Sequence, residues 1–91
     1  MRPVVPWMSQ VDDVVLDWLD EHDIAAPPKV VHVNIDPVVS YSQVNRRLRK
    51  LEQNGLVEKD PERNGYYAIT DLGRKYLHDS DATAADFQDM S

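Results

Sequence analysis

The chain has no cysteine, which excludes disulfides, thiolate nucleophiles and cysteine metal ligands and leaves the redox compartment unreadable. No apolar run approaches the roughly 20 residues needed to cross a bilayer, so no membrane span is expected. The opening MRPVVPWMSQ carries one arginine but neither a long apolar stretch nor a small-residue cleavage site, so it does not read as a secretory signal and the expected location is the cytoplasm. Glycine is scarce as well, with three in all. Gly55 suits the end of a helix, Gly65 the exit of a turn and Gly73 a close helix approach, so none remains for a phosphate-cradling loop. His22, His32 and His78 are scattered, and neither His22-Asp23 nor His78-Asp79 has a nucleophile or a metal-ligand spacing beside it. The reading is therefore of no enzyme, no metal, no cofactor and no small-molecule substrate. Lysine is rare too, with four residues against twelve aspartates among the sixteen acids. Short acids in place of long cations keep a surface hydrated in concentrated salt, a halophile-like composition.

What the chain does contain is enough for one small domain: 91 residues, 42% of them hydrophobic, with a formal net charge of −6. That charge is unevenly spread. Residues 1–39 sum to −5, residues 40–78 to +3 and residues 79–91 to −4. Acidity thus sits at both ends and the cations gather between them, four of the ten (Arg46, Arg47, Arg49 and Lys50) within a single short stretch.

The order of elements follows from periodicity and caps. A first helix is expected over about 9–22, capped by Ser9, with Asp12 and Asp13 favourably placed in its first turn. Val11, Val15, Trp18 and Leu19 recur at helical spacing, Val14 and Leu16 widen that apolar face, and Trp7-Met8 can fold back on the cap. Pro27-Pro28 then opens a second helix over about 28–34, with Val30, Val31 and Val33 partly inward. The β-branched run VVHVNI is compatible with a strand, but the proline start and the turn at Asn34-Ile35-Asp36-Pro37 favour a helix. A third helix starts at the capping box Ser40-x-x-Gln43 and stops at Asn54-Gly55. Residues 56–59 and 66–69 bracket a Pro/Asn/Gly turn and predict a hairpin. Thr70 caps a last helix to about residue 78, with Leu72, Tyr76 and Leu77 facing the core. Residues 79–91, acidic and unpatterned, are expected to be disordered. The implied fold class is α+β, a winged helix-turn-helix with a three-helix core, a two-stranded antiparallel wing and a short C-terminal helix. Residues 1–8 form an extension, 9–78 the domain and 79–91 a tail.

The third helix carries the functional signal. Tyr41, Val44, Leu48 and Leu51 make one apolar stripe, and at about 100° per residue the opposite face holds Ser42, Gln43, Arg46, Arg49, Lys50 and Gln53. In a winged helix-turn-helix that helix enters the major groove of double-stranded DNA. Arg46 and Gln43, in its first half, are candidates for base contact, since arginine can pair twice with guanine and glutamine twice with adenine. Ser42, Asn45, Arg49 and Lys50 are candidates for phosphate or flanking contacts, and Lys59 and Arg63 for phosphate contacts from the wing. A rival reading keeps the fold but makes it a protein-docking module whose basic face meets an acidic partner.

The same residues bear a family likeness. Trp7-Met8 with Asp12-Asp13, the Asn34-Ile35-Asp36 turn, Val44-Asn45-Arg46-Arg47-Leu48, Gly55-Leu56-Val57, Gly65-Tyr66-Tyr67 and Ile69-Thr70-Asp71-x-Gly73 with Tyr76-Leu77 span residues 7–77. In this combination the chain resembles the winged-helix proteins of halophilic archaea related to the repressor of the halophage phi-H. The resemblance implies sequence-specific transcriptional repression, usually by a symmetric homodimer, and the mechanism expected is docking of two third helices on a partly palindromic operator. The wing departs from that pattern in being longer and more acidic, with Glu58, Asp60 and Glu62.

Overall fold

The computed structural model describes residues 2–35 and 39–87, and its elements run α1 (Gln10–His22), α2 (Pro28–Asn34), α3 (Tyr41–Gln53), β1 (Val57–Lys59), β2 (Tyr67–Ile69) and α4 (Asp71–His78), followed by a short 3-10 helix (Ala84–Phe87). This is an α+β winged helix-turn-helix. The Val-rich run after Pro27 is helical, with Pro28 in its first turn where the missing N–H costs nothing. Asp36 and Pro37 of the expected turn, and residues 88–91 of the tail, lie outside the described residues.

The strands pair antiparallel in the register Val57↔Ile69, Glu58↔Ala68 and Lys59↔Tyr67. Ala26, in the loop before α2, adds an isolated antiparallel bridge to β2 by exchanging both backbone hydrogen bonds with Tyr67 at 2.9 Å. The wing is thereby tied to the helix-turn-helix and does not hang free. Two glycines shape its surroundings. Gly55 takes φ +81° just past α3, where Leu56 N–H returns to Leu51 O at 3.0 Å. Gly73 lets α4 cross the strand end: a Cβ there would lie 2.4 Å from Leu56 O and 2.7 Å from Ile69 Cγ1.

The core is built from Val15, Leu16 and Leu19 of α1, Val31 of α2, Val44, Leu48 and Leu51 of α3, Leu56, Val57, Tyr67 and Ile69 of the hairpin, and Tyr76 and Leu77 of α4. The expected stripes hold with two corrections, at Tyr41 and in α2. Tyr41 is 47% exposed, at the start of α3, with its ring edge-on to His32 of α2 at 6.0 Å. Of the three α2 valines only Val31 is buried, while Val33 is 67% exposed. Trp18 sits at the margin, half-buried, with its ring stacked on His22 at 4.3 Å.

A third correction concerns the tail. Residues 79–87, expected to be disordered, return to the body: Phe87 is 2% exposed, stands edge-on to Tyr76 at 5.4 Å, and its carbonyl accepts a hydrogen bond from Trp7 Nε1 at 2.6 Å. Asp86 accepts from Thr83 N–H, which holds its carboxyl below the usual range, and lies 3.7 Å from Lys75 Nζ. One aromatic residue anchors a stretch whose average composition reads as solvated, and a compositional argument averages it away. The opening residues belong to the same corner, with Val5 buried and Arg2 paired to Asp17 at 2.5 Å.

A candidate nucleic-acid interface on the third helix

Helix α3 begins where Ser40 Oγ accepts the Gln43 N–H at 3.1 Å, satisfying one of the first-turn donors that a helix leaves unpaired. Just before that cap, His32 Nε2 of α2 donates to Val39 O at 2.7 Å and fastens the start of α3 to the preceding helix. With Val44, Leu48 and Leu51 wholly buried beneath it, the helix cannot roll about its axis, and its remaining residues are presented outward.

Of the residues expected on that face, Ser42, Arg46, Arg49 and Gln53 are exposed, and Gln43, Asn45 and Lys50 are half-buried along its flanks. Arg46, Arg49, Lys50 and Gln53 line one shallow groove together with Arg47. Ser42 and Gln43 lie one turn earlier, with the Ser42 hydroxyl 3.3 Å from that of Ser40. Lys59 and Arg63 are exposed on the separate wing, where Asp60 accepts from Glu62 N–H at 2.8 Å and the Arg63 guanidinium lies 5.5 Å from the Tyr66 ring centroid. Neither Arg46 nor Arg49 makes an ion pair or a side-chain hydrogen bond among the described residues. Two adjacent unneutralised guanidinium groups on a rigid helix can donate to phosphates and to base edges alike.

Arg47 behaves differently, and sequence reasoning missed it by counting it with its neighbours. From the edge of that groove it turns toward α1, where its Nη2 meets Asp12 Oδ2 at 2.5 Å and its Nε meets Asp12 Oδ1 at 2.9 Å. Asp12 is completely buried; it also accepts the backbone N–H of Ser9 at 2.8 Å. The carboxylate read as a first-turn acid therefore closes the cap of α1 and binds α3 at once. The fork geometry raises the Arg47 pKa further, chiefly through the Asp12 hydrogen bond, so the guanidinium stays charged. The available signal was angular: Arg47 lies between the apolar stripe and the polar face of α3.

Around α1 and α4 the cations are matched. Arg74 pairs with Asp23 at 2.6 Å and Asp20 at 3.4 Å, and His78 Nε2 meets Asp20 at 2.7 Å. The Tyr76 hydroxyl donates to Asp13, and burial together with that bond pushes the phenol pKa well above its ordinary value. No group of side chains fit to hold a metal ion occurs among the described residues, and no helix there is long and apolar enough to cross a membrane.

A three-helix unit whose third helix presents its polar side, followed by a hairpin wing, defines a winged helix-turn-helix protein. The comparisons are specific about which kind. Residues 1–87 match the model of the winged helix-turn-helix phage repressor family, and the chain belongs to that family, one of DNA-binding regulators. A crystal structure of the PhiH1 repressor-like protein from Haloarcula marismortui superimposes with a TM-score of 0.73 at 36% identity, covering 85% of this chain and 84% of that one. The comparison with curated proteins returns no match.

Proposed function

We propose that this protein is a sequence-specific transcriptional repressor that inserts α3 into the major groove of its operator. The observation that carries the reading is the exposed pair Arg46 and Arg49, without an ion-pair or side-chain hydrogen-bond partner among the described residues, on a helix locked to α1 through Arg47 and Asp12. A face held in one orientation spends little entropy on docking, and uncompensated cations supply the attraction to phosphate. In this reading Arg46 and Gln43 contact base edges, Ser42, Asn45, Arg49 and Lys50 contact phosphates or flanking groups, and Lys59 and Arg63 reach neighbouring phosphates from the wing.

Two copies bind a partly palindromic operator with half-sites about 10 base pairs apart or a multiple of that, and occupancy blocks transcription. The halophile-like composition and the likeness to a Haloarcula protein support function in concentrated salt. There the counterion contribution shrinks, so base contacts and shape fit carry more of the affinity. The test is a competitive gel-shift titration at fixed high salt, with operator and random duplexes in competition. Arg46→Ala and Gln43→Ala are expected to lose operator discrimination. Equal losses on both duplexes would refute base reading by these residues. Absence of any duplex binding by the native chain would favour the protein-docking alternative.

A further inference from the structure

Two of the four asparagines precede a glycine, Asn54-Gly55 and Asn64-Gly65, and the fold treats the two pairs in opposite ways. Asn54 is 4% exposed at the end of α3, and its side-chain amide donates to Lys50 O at 3.0 Å. Gly55 N–H is engaged as well, with Glu52 O at 3.1 Å. Asn64 and Gly65, by contrast, are both exposed in the wing turn. Among the described residues, neither the Asn64 side chain nor the Gly65 N–H makes a hydrogen bond. A Cβ placed on Gly65 would meet nothing within 4 Å. The turn is fastened around the pair, by Asp60 N–H to Tyr66 O at 2.9 Å and Tyr66 N–H to Arg63 O at 3.2 Å, but not at these two groups themselves.

We infer that Asn64 is a site of spontaneous deamidation, by which the wing gains negative charge as the protein ages. The Gly65 backbone nitrogen attacks Asn64 Cγ. The new N–Cγ bond closes a cyclic imide, the Cγ–Nδ2 bond breaks, and the amide nitrogen leaves as ammonia with the proton from Gly65. Solvent water then opens the ring at one of its carbonyls. Opening at Cγ gives aspartate, and opening at the main-chain carbonyl gives isoaspartate, whose backbone runs through Cβ. A following glycine favours ring closure because no side chain shields its nitrogen and its dihedrals are free. Asn34 and Asn45, followed by Ile35 and Arg46, lack that advantage. Either product sets a carboxylate next to Arg63, on a wing that already carries Glu58, Asp60 and Glu62. An added acid there opposes the approach of Arg63 and Lys59 to phosphate. That consequence rests on the DNA-binding reading; the chemistry does not.

The full chain is incubated at mildly alkaline pH, where the attacking nitrogen loses its proton more readily, and sampled over weeks by peptide mapping. Both products carry OH in place of NH2, a mass change that fragmentation assigns to a single residue. Conversion at Asn64 is expected to be at least about tenfold faster than at Asn54, whose hydrogen bonds must open first. In guanidinium, with the chain unfolded, the two sites are expected to convert at similar rates. Asn64→Gln keeps an amide but lengthens the side chain past the favourable ring size, and is expected to leave the wing unmodified. A second readout is duplex affinity at low salt. Asn64→Asp, which reproduces the added charge, is expected to weaken binding about twofold, the scale of one exposed ion pair, whereas Asn64→Gln holds the native value.

Equal rates at the two sites in the folded chain overturn the inference, as does an intact Asn64 in a folded chain whose denatured form converts. If Asn64 converts but Asn64→Asp binds duplexes as tightly as the native chain, the effect on DNA is overturned. If Asn64 converts and the native chain binds no duplex, the modification site stands and the DNA-binding reading fails.

Discussion

Arg46 and Arg47 are neighbours in one helix with the same side chain, yet they do opposite work. Arg46 is exposed and lacks an ion-pair partner among the described residues, whereas Arg47 is forked onto a carboxylate that water does not reach. The contrast extends to the two sides of the molecule. Around α1 and α4, cations are matched to acids: Arg2 with Asp17, Arg74 with Asp20 and Asp23, Lys75 with Asp86. On the outward side of α3, Arg46 and Arg49 have no ion-pair partner among the described residues. An acidic chain of net charge −6 still presents exposed guanidinium groups on α3, because the acids that pair with Arg2, Arg74 and Lys75 lie on other elements. Net charge is a poor guide to partner; the distribution of unpaired charge is the better one.

The most damaging way to break this contrast is to remove Arg47. Arg47→Ala strands the buried Asp12 carboxylate and is expected to cost about 3–4 kcal/mol of stability, read as a fall in the urea midpoint at constant slope. Arg46→Ala, one residue earlier, is expected to stay within about 0.5 kcal/mol of the native chain. Equal destabilisation by the two substitutions would erase the distinction between locking and presenting residues.

DNA binding sharpens the comparison from the other side. Arg46→Ala is expected to lose about 1–3 kcal/mol of discrimination between operator and random duplex. Lys50→Ala is expected to weaken all duplexes alike and to lower the slope of log affinity against log salt by about one. Gel-shift titrations across a salt series separate these outcomes.

A smaller effect belongs to the matched side. Because the Tyr76 phenol is raised above its ordinary value of 10.0 by burial and by Asp13, the folded state keeps a proton that the unfolded chain releases in alkali. The stabilisation is intact below about pH 10 and falls as pH climbs from there through the folded-state value. Tyr76→Phe is expected to flatten that part of the stability curve relative to the native chain, as urea midpoints measured between pH 9 and 11 would show. The wing should yield the smallest change: Lys59→Ala is expected to alter duplex affinity less than Lys50→Ala, given the acids Glu58, Asp60 and Glu62 around it.

Much of the fold was legible because its signals are local. Ser40 and Thr70 cap their helices as their positions imply, Gly55 adopts the left-handed conformation just past α3, and Gly73 sits where a side chain would strike Leu56 O. The outward set on α3 was legible for the same reason: burial of Val44, Leu48 and Leu51 fixes which angles remain for everything else. Tyr41 escaped that logic: it shares the angle of the stripe at the first residue of α3 yet is 47% exposed, so period alone overstates burial at a helix end. Asp12 escaped because an acid in a first turn is ordinarily explained by the cap and dipole, and its second partner is 35 residues away.

Element order, helix caps, the glycine turns and the polar side of α3 were thus written in the sequence itself, since each depends on residues within a turn or two of one another. Which arginine locks and which presents, the return of Phe87 to the body and the meeting of both chain ends at Trp7 were decided only by the tertiary structure. Those contacts join residues 35 to 80 positions apart. Periodicity gives the angle of a side chain on its own helix, but partners that far off along the chain are chosen by the packing of whole elements.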